Sequence, residues 1–591
     1  MAITTTQRRF KMKKILATLL CVLFLVGIGF SVITMEVGKL LASNSGIVAA
    51  GNPYASAAGA EILEKGGNAI DAAIAVSLAL GVVEPYASGI GGEGYAVASF
   101  NGERIAVDFR SSAPALASVE NAEALGLTTS DLRSGPLSIC TPGVLAGIIE
   151  LWLHGGSLPF AELIAPAIRL ASEGFVVNNT FASTCGSSYD VLMENAPGFL
   201  KDGLFAWETG DIATNPELAE TYRYLAENGP QAFYKGELAD KISDLIESKE
   251  GFLRKTDLEN YRALVKEPLH GTYRGYDLFV PSIPVGGPYL IETLNILEHF
   301  NLSAFSWDDP LVMNIINQAL TFAMIDLLSY SGDPEYVYVP VETLITKDYA
   351  KTRFMNIDLN EALNSELYYT DYLGRPDLFE NSDSYIEAML AGAGVIELEP
   401  SAAGVGEDTT HFAVIDKDGN AVAWTQTLSS FFGSKVYLDG FFINNEMGNF
   451  TLDDTSRGLV PGKRPVTTIC PTIIEKDGKV VYLVGTPGGY YIQSTITNVI
   501  VDLIDFGMTL DEAQMKPKII GSPNYPEFRM ETGYPENTRL FLEEIMGHSV
   551  REFDFPYRSF GSLNLIQVQP DGLMIGIGAF RREGGASAPE Y

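Results

Sequence analysis

A small, acidic linker that runs directly into an alternating β-hairpin, with a threonine at the join, sets the strongest limit on how this chain folds. Residues 398 to 408, Leu-Glu-Pro-Ser-Ala-Ala-Gly-Val-Gly-Glu-Asp, are turn-prone. His411 to Ile415 and Ala421 to Thr427 then read as two strands joined across Asp416-Lys417-Asp418-Gly419-Asn420. A hairpin at that point fixes where a sheet begins, and Thr409-Thr410 stands at its edge. The join also has a chemistry. If the Asp408–Thr409 bond is cut, Thr409 becomes an N-terminus whose α-amine titrates at about 8 and can take the proton of its own hydroxyl. A Thr-Thr pair also opens many ordinary strands, so the rest of the chain decides between the two readings.

At 591 residues the chain can bury a large core, and 46% apolar with 19% charged residues is a globular composition. A formal net charge of −34 leaves nucleic-acid binding without electrostatic support. A substrate bearing carboxylates would need a local cationic site, which gives weight to any arginine inside a motif. Arg8, Arg9, Lys11, Lys13 and Lys14 precede an uncharged apolar run from Ile15 to Thr34, long enough to span a hydrocarbon core as a helix. Residues 1–14 are therefore expected as a basic cytoplasmic end and 15–34 as a signal or membrane anchor. An uncleaved anchor is favoured, because the run exceeds an ordinary signal core. The protein is expected outside the cell or at its surface, meeting the membrane through this segment alone. Cys21 lies in the apolar run, while Cys140, Cys185 and Cys470 are odd in number and widely spaced, so buried thiols are expected in place of a disulfide framework. The five histidines have no ligand spacing, and neither a metal nor a cofactor is expected.

From about Ala49, two helices of small residues are expected, the first ending at Gly66-Gly67. Ser88-Gly89-Ile90-Gly91-Gly92-Glu93-Gly94 follows and enters a strand, Tyr95 to Ser99. It lacks the lysine of a phosphate loop and opens a strand where a dinucleotide site would open a helix, which excludes a nucleotide site. Residues 140 to 395 read as mainly helical, with turns such as Pro284-Val285-Gly286-Gly287-Pro288. Strands return after Thr409, including Lys479 to Val484, and helices are expected around Ser494 to Asp505 and Leu510 to Met515. With no internal repeat and one clear linker, the expectation is a single interwoven α/β unit.

Four further segments place polar groups in contexts that need explaining: Asp108-Phe109-Arg110, Asn444-Asn445-Glu446, Arg464-Pro465-Val466-Thr467-Thr468 and Thr486-Pro487-Gly488-Gly489. Together with Thr409, and in this order from about residue 48 to the C-terminus, they resemble the γ-glutamyltransferase family. The resemblance implies an N-terminal-nucleophile hydrolase, a four-layer αββα sandwich made as a precursor. The precursor would cleave itself at Asp408–Thr409 into a large subunit, 46–408, and a small catalytic subunit, 409–591, which remain together as a heterodimer. The implied reaction takes a small γ-glutamyl donor such as glutathione and passes its acyl group to water, an amino acid or a peptide.

The same resemblance implies roles for single residues. Thr409 would attack first the Asp408 carbonyl and later the donor amide. Thr427 would hydrogen-bond the Thr409 hydroxyl. Gly488 and Gly489 would offer backbone N–H groups to the oxyanion, although an ordinary Pro-Gly-Gly turn has the same sequence. Arg110 would grip the donor's α-carboxylate with its planar fork, the alternative being a structural pair with Asp108. Glu446 would lie near the donor's α-amino group.

The departures bear on substrate. Asn449 stands where the family usually has an aspartate facing the α-ammonium, Thr467-Thr468 replace paired serines at the carboxylate, and Ser429 stands where an asparagine is common. An asparagine can bond an amine or an amide without requiring charge. That predicts weak discrimination between free and acylated α-nitrogen. It also opens a second reading as a poly-γ-glutamate (capsule) depolymerase or a glutaryl-type acylase. The twelve residues from Thr451 to Gly462 are short for the lid of many relatives, which predicts an open pocket. A non-enzymatic surface or scaffolding role is disfavoured because Thr409, Thr427, Arg110 and Gly488-Gly489 all persist.

Overall fold

The hairpin forms, and it forms at the centre of a sheet. Thr409–Asp416 pairs with Ala421–Thr427 in antiparallel register, Thr409 opposite Thr427 and Ile415 opposite Ala421. The computed structural model describes residues 38–363, 409–453, 455–523 and 527–590. The expected anchor at 15–34, Cys21, and the linker with Asp408 lie outside the described residues.

Around the hairpin the strand order is Gly585–Ser587, Gly46–Ala50, Thr409–Asp416, Ala421–Thr427, Glu93–Phe100, Glu103–Phe109 and Leu264–Lys266, every neighbouring pair antiparallel. A second seven-stranded sheet runs Leu41–Ser43, Met574–Ile577, Leu565–Val568, Lys479–Val484, Thr472–Lys476, Tyr276–Val280 and Leu269–Tyr273. Both sheets interleave chain from before and after residue 408, as one interwoven unit requires.

Strand side chains alternate between faces, and the alternation of the hairpin sorts its residues into two cores. Ala413, Ile415, Ala421 and Ala423 join Ile47, Ala49 and Val97, and pack against Ile473, Val480, Leu483, Ile566 and Met574 of the second sheet. Phe412, Val414, Val422 and Trp424 point the other way, into a core shared with the helices Pro53–Glu64, Ala69–Val83, Val144–Gly155 and Phe160–Glu173. On the far side, Gly287–Leu297, Pro310–Tyr330 and Ile492–Ile504 cover the second sheet. The layers are helix, sheet, sheet, helix.

Small residues set how closely these layers approach. Gly59 lies so near the second helix that a β-carbon on it would sit 2.6 Å from Val76 Cγ2. Ala69–Val83 is buried along its whole length and starts at a capping box between Asn68 and Asp71. Pro310–Tyr330 is long and apolar enough to cross a membrane, but it is buried in the helical layer and is a core helix. Cys140, Cys185 and Cys470 are free and buried.

Among the described residues, the stretch from 140 onward is mainly helical as expected, and it also supplies Leu264–Lys266, Leu269–Tyr273 and Tyr276–Val280, which were not expected and lie at or next to one edge of each sheet. These strands are short and half-exposed, so their alternation between apolar and polar residues is too brief to stand out from the helical sequence around them.

Candidate active site

The register of the first sheet assembles the site. Thr409 lies opposite Thr427, Thr427 opposite Glu93, and Gly94 opposite Phe109, so the next residue along sets Arg110 beside Glu93. Residues directly opposite in a sheet share a face. This row extends the inward-facing series of Ala413, Ala423 and Val97 to the end of the sandwich.

Thr409 Oγ1 donates to Thr427 Oγ1 at 3.2 Å, and Thr427 Oγ1 also accepts the Ser429 N–H at 2.8 Å. Ser429 has φ +80°, a left-handed conformation that turns the chain at the strand end. The Thr409 carbonyl oxygen accepts from Arg582 Nη1 at 2.9 Å. Thr410, facing the opposite layer, donates to Glu84 Oε2 at 2.7 Å. Burial pushes the Glu84 carboxyl up, while the Thr410 hydrogen bond and the charges of Arg582 and Arg558 pull it back. The strand that opens with Thr409 is thus pinned on both faces.

His411 sits one period deeper, its Nδ1 2.9 Å from Thr425 Oγ1. Burial holds its pKa down at about 3, so the ring is neutral. A β-carbon on Gly485 would lie 2.2 Å from His411 Cε1, so only glycine lets that chain pass against the strand Thr409–Asp416. The same chain continues to Gly488 at φ +141° and Gly489 at φ +53°, immediately before the helix Ile492–Ile504. Two N–H groups in a positive-φ turn beside a helix N-terminus can stabilise an oxyanion. Thr468 Oγ1 donates to the Gly489 carbonyl oxygen at 2.6 Å and so braces this turn. Thr467, half-buried, donates its N–H to the Pro284 carbonyl oxygen at 3.1 Å.

Arg110 is wholly buried. Its Nη1 binds Glu93 Oε1, while Nη2 donates to Glu446 Oε2 at 3.2 Å and to the Pro465 carbonyl oxygen at 2.9 Å. The Arg110–Asp108 side-chain pair is corrected: Asp108 binds Arg464 Nη1 at 2.6 Å and Lys266 Nζ at 2.7 Å, and meets Arg110 at its backbone N–H. Glu93 further accepts the Ser111 N–H and hydroxyl at 2.8 and 2.7 Å. Burial pushes the Glu93 carboxyl well up, Arg110 draws it down, and Glu446 pushes it up again. Glu446 Oε2 also accepts from Asn449 Nδ2 at 2.7 Å, and Asn449 lies 3.5 Å from Ser429 Oγ. Ser429, Asn449, Glu446, Arg110 and Glu93 therefore form one network running from half-buried to fully buried. The segment Thr451 to Gly462 is tied to the body through Ser456 Oγ to the Ser331 carbonyl oxygen and the Gly462 N–H to that of Ala113, both at 2.8 Å.

Glu84, Arg582 and above all Glu93 are site residues that the sequence reading passed over. Glu93 sits within the glycine-dense run, whose glycines are its dominant sequence feature. The available signal was an acid leading a strand that has no other charged residue, which needs a buried partner.

The gamma-glutamyltranspeptidase family model matches residues 55–589. The chain belongs to that family. It is 34% identical over 561 residues to the glutathione hydrolase proenzyme of Escherichia coli (strain K12), covering 90% of each. It is 32% identical over 562 residues to the acylase ACY 1 proenzyme of Pseudomonas sp. (strain SE83), covering 92% of this chain and 94% of that one. The crystal structure of cephalosporin acylase from Bacillus halodurans superposes with a TM-score of 0.81 at 28% identity, over 96% of this chain and 100% of that one. The layering described above is the N-terminal-nucleophile hydrolase architecture, and the gamma-glutamyltranspeptidase relatives of this chain are named both for glutathione hydrolysis and for acylase activity.

Proposed function

We propose that this chain is an exported, self-processing amide hydrolase or acyltransferase that works through Thr409 as an N-terminal nucleophile. The observation that carries the proposal is the Thr409 hydroxyl, 3.2 Å from Thr427 Oγ1 on the first residue of a central strand, immediately after the linker. In maturation, Thr409 Oγ adds to the Asp408 carbonyl and the Asp408–Thr409 C–N bond breaks, leaving an ester on the hydroxyl and a free α-amine. Water then hydrolyses the ester, so Asp408 becomes a C-terminal carboxylate.

In turnover the α-amine takes the hydroxyl proton as Oγ attacks the donor amide, and returns it to the departing amine. Thr427 orients the hydroxyl, the Gly488 and Gly489 N–H groups receive the oxyanion, and water or an acceptor amine releases the acyl group. Buried, neutral His411 offers no competing base. Two subunits from one precursor follow, and export rests on the basic and apolar N-terminal segments.

The donor expected first, a γ-glutamyl amide such as glutathione, needs an open arginine fork. The pairing of Arg110 with Glu93 and Glu446 favours instead an acylase whose acyl group lacks that carboxylate, which sets aside the glutaryl-type reading as well. Denaturing electrophoresis and N-terminal sequencing test the nucleophile: the smaller fragment should begin Thr-Thr-His-Phe, and Thr409→Ala should stay as one inactive chain. An uncut wild type, or a different start, overturns the proposal. Protease treatment of intact cells should digest the protein if it is exported.

A further inference from the structure

We propose that Glu93 is a built-in occupant of the carboxylate seat, holding Arg110 so that the pocket takes acyl groups whose far end is neutral or carries an amine and rejects those ending in a free carboxylate. This rests on Thr409 as the nucleophile and assigns the acyl class that it serves.

The row geometry places Glu93 where the far end of an acyl chain would be read. Glu93 is two strands from Thr409 on the same face, roughly 10 Å across. A short acyl chain held on Thr409 and extended along the row past Thr427 ends at Glu93 and Arg110. Recognising a carboxylate there requires two parallel N–H groups on one edge of the guanidinium. Glu93, Glu446 and the Pro465 carbonyl oxygen instead take Nη1 and Nη2, and Arg110 Nε is buried without a hydrogen-bond partner among the described residues.

Glu93 is held in place as well. Its second oxygen accepts both the N–H and the hydroxyl of Ser111, so turning it aside to admit a ligand would break three hydrogen bonds in a fully buried position. An arginine between two carboxyls keeps at least one of them ionised, so the Glu93, Arg110 and Glu446 group carries a net charge of zero or below. A donor carboxylate would add a further anion to a cation already shared between two. The half-buried side of the network has the opposite preference. Asn449 uses its N–H on Glu446 and retains an acceptor oxygen beside that carboxyl, an environment suited to an amine.

Processed wild type, Glu93→Gln and Glu93→Ala should be assayed on para-nitroanilides of matched chain length. These are γ-glutamyl (amine and carboxylate), glutaryl (carboxylate alone), δ-aminovaleryl (amine alone) and valeryl (neither). In wild type, kcat/KM for the valeryl and δ-aminovaleryl donors is expected to exceed that for glutaryl by about tenfold or more. Glu93→Ala should raise kcat/KM for the glutaryl and γ-glutamyl donors by about tenfold while the other two change by less, with Glu93→Gln between. The appearance of both fragments shows which variants mature, and the wild-type ranking decides the matter even if Glu93→Ala does not. Wild type that prefers the carboxylate donors, or Glu93 variants that move all donors together, overturns the role of Glu93 while leaving Thr409 intact. An uncut wild type inactive on every donor overturns both.

Discussion

Among the described residues, the buried arginines Arg110 and Arg353 each lie near two carboxyls, and they are built differently. At the end of the first sheet Arg110 divides its donors between Glu93 and Glu446, and both acids have further hydrogen bonds, from Ser111 and from Asn449. In the helical layer Arg353 turns both Nε and Nη2 onto one acid, Asp326, which Tyr349 also bonds at 2.7 Å. Neither oxygen of the second acid, Glu292, accepts from a donor among the described residues. Burial, and then the neighbouring Asp326, push its carboxyl well up. Among the described residues the core arginine gives Nε and Nη2 to a single acid, beside a second acid whose carboxyl is pushed well up. The site arginine is shared, and its network continues through Glu446 to half-buried Asn449 and Ser429. A buried ion pair is therefore not evidence of function by itself; the path leading out of it is what distinguishes the two.

The largest expected effect comes from removing either cation. Arg353→Met and Arg110→Met should each cost about 3–5 kcal/mol of stability, because carboxyls are left buried without a counter-charge. Denaturant midpoints would measure this. Among molecules that remain folded and processed, Arg353→Met should keep wild-type kcat/KM on every donor, whereas Arg110→Met should change the donor ranking. Equal catalytic effects would mean that the two arginines do not differ in kind.

The acids separate the two regions next. Glu93→Gln should destabilise by about 2–3 kcal/mol by weakening a charged hydrogen-bond set. Glu292→Gln, which replaces a group whose carboxyl is pushed well up, should stay within about 1 kcal/mol at neutral pH. Because Glu292 has a raised pKa in the folded state, its contribution is present below the unfolded value and is lost as pH rises through the folded one. Glu292→Gln should accordingly flatten the fall in stability on the alkaline side, and an unchanged slope would count against a protonated Glu292.

His411 supplies a slope of the opposite sign inside the sheet. Its pKa is held down at about 3, so folding stability is complete above the unfolded histidine value and is lost as pH falls from there toward 3. One such group contributes up to about 1.4 kcal/mol per pH unit in that window. His411→Asn should reduce the acid slope in urea titrations at several pH values. A slope that does not change would place the acid sensitivity elsewhere.

The smallest effect is expected at Asn449, the outermost group of the site network. Asn449→Asp replaces a donor to Glu446 with a second acid, so donors with a free amine should gain and acylated or amine-free donors should lose, each by about 1–2 kcal/mol in kcat/KM. If both classes move in the same direction, Asn449 does not read the nitrogen.

Local structure was legible in the sequence because its signals are local. The hairpin at Thr409 followed from alternation and a turn, and the two small-residue helices from their composition and the Gly66-Gly67 stop. Gly488 and Gly489 were singled out as a pair, and each has a positive φ in the fold. The edge strands between Leu264 and Val280 were missed because three short, half-exposed strands carry little periodicity. The candidate residues followed from the family resemblance, segment by segment, and Arg110 as carboxylate anchor was its match to the family arginine, a role that a planar cation in an acidic chain suits.

Which groups actually meet was decided by tertiary structure. Thr409, Thr427, Glu93 and Arg110 come from separate strands and become a row through antiparallel register, a property of the paired sheet that no single segment encodes. The same register gives Arg110 to Glu93 and leaves Asp108 to Arg464 and Lys266. Sequence by itself determined the hairpin, the small-residue packing and the identity of the nucleophile candidate, since periodicity and residue chemistry act over a few positions, while the αββα architecture was implied by the family resemblance. Charge pairing in a buried row depends on which side chains are brought within hydrogen-bond distance and which are cut off from water, and only the assembled sandwich settles that.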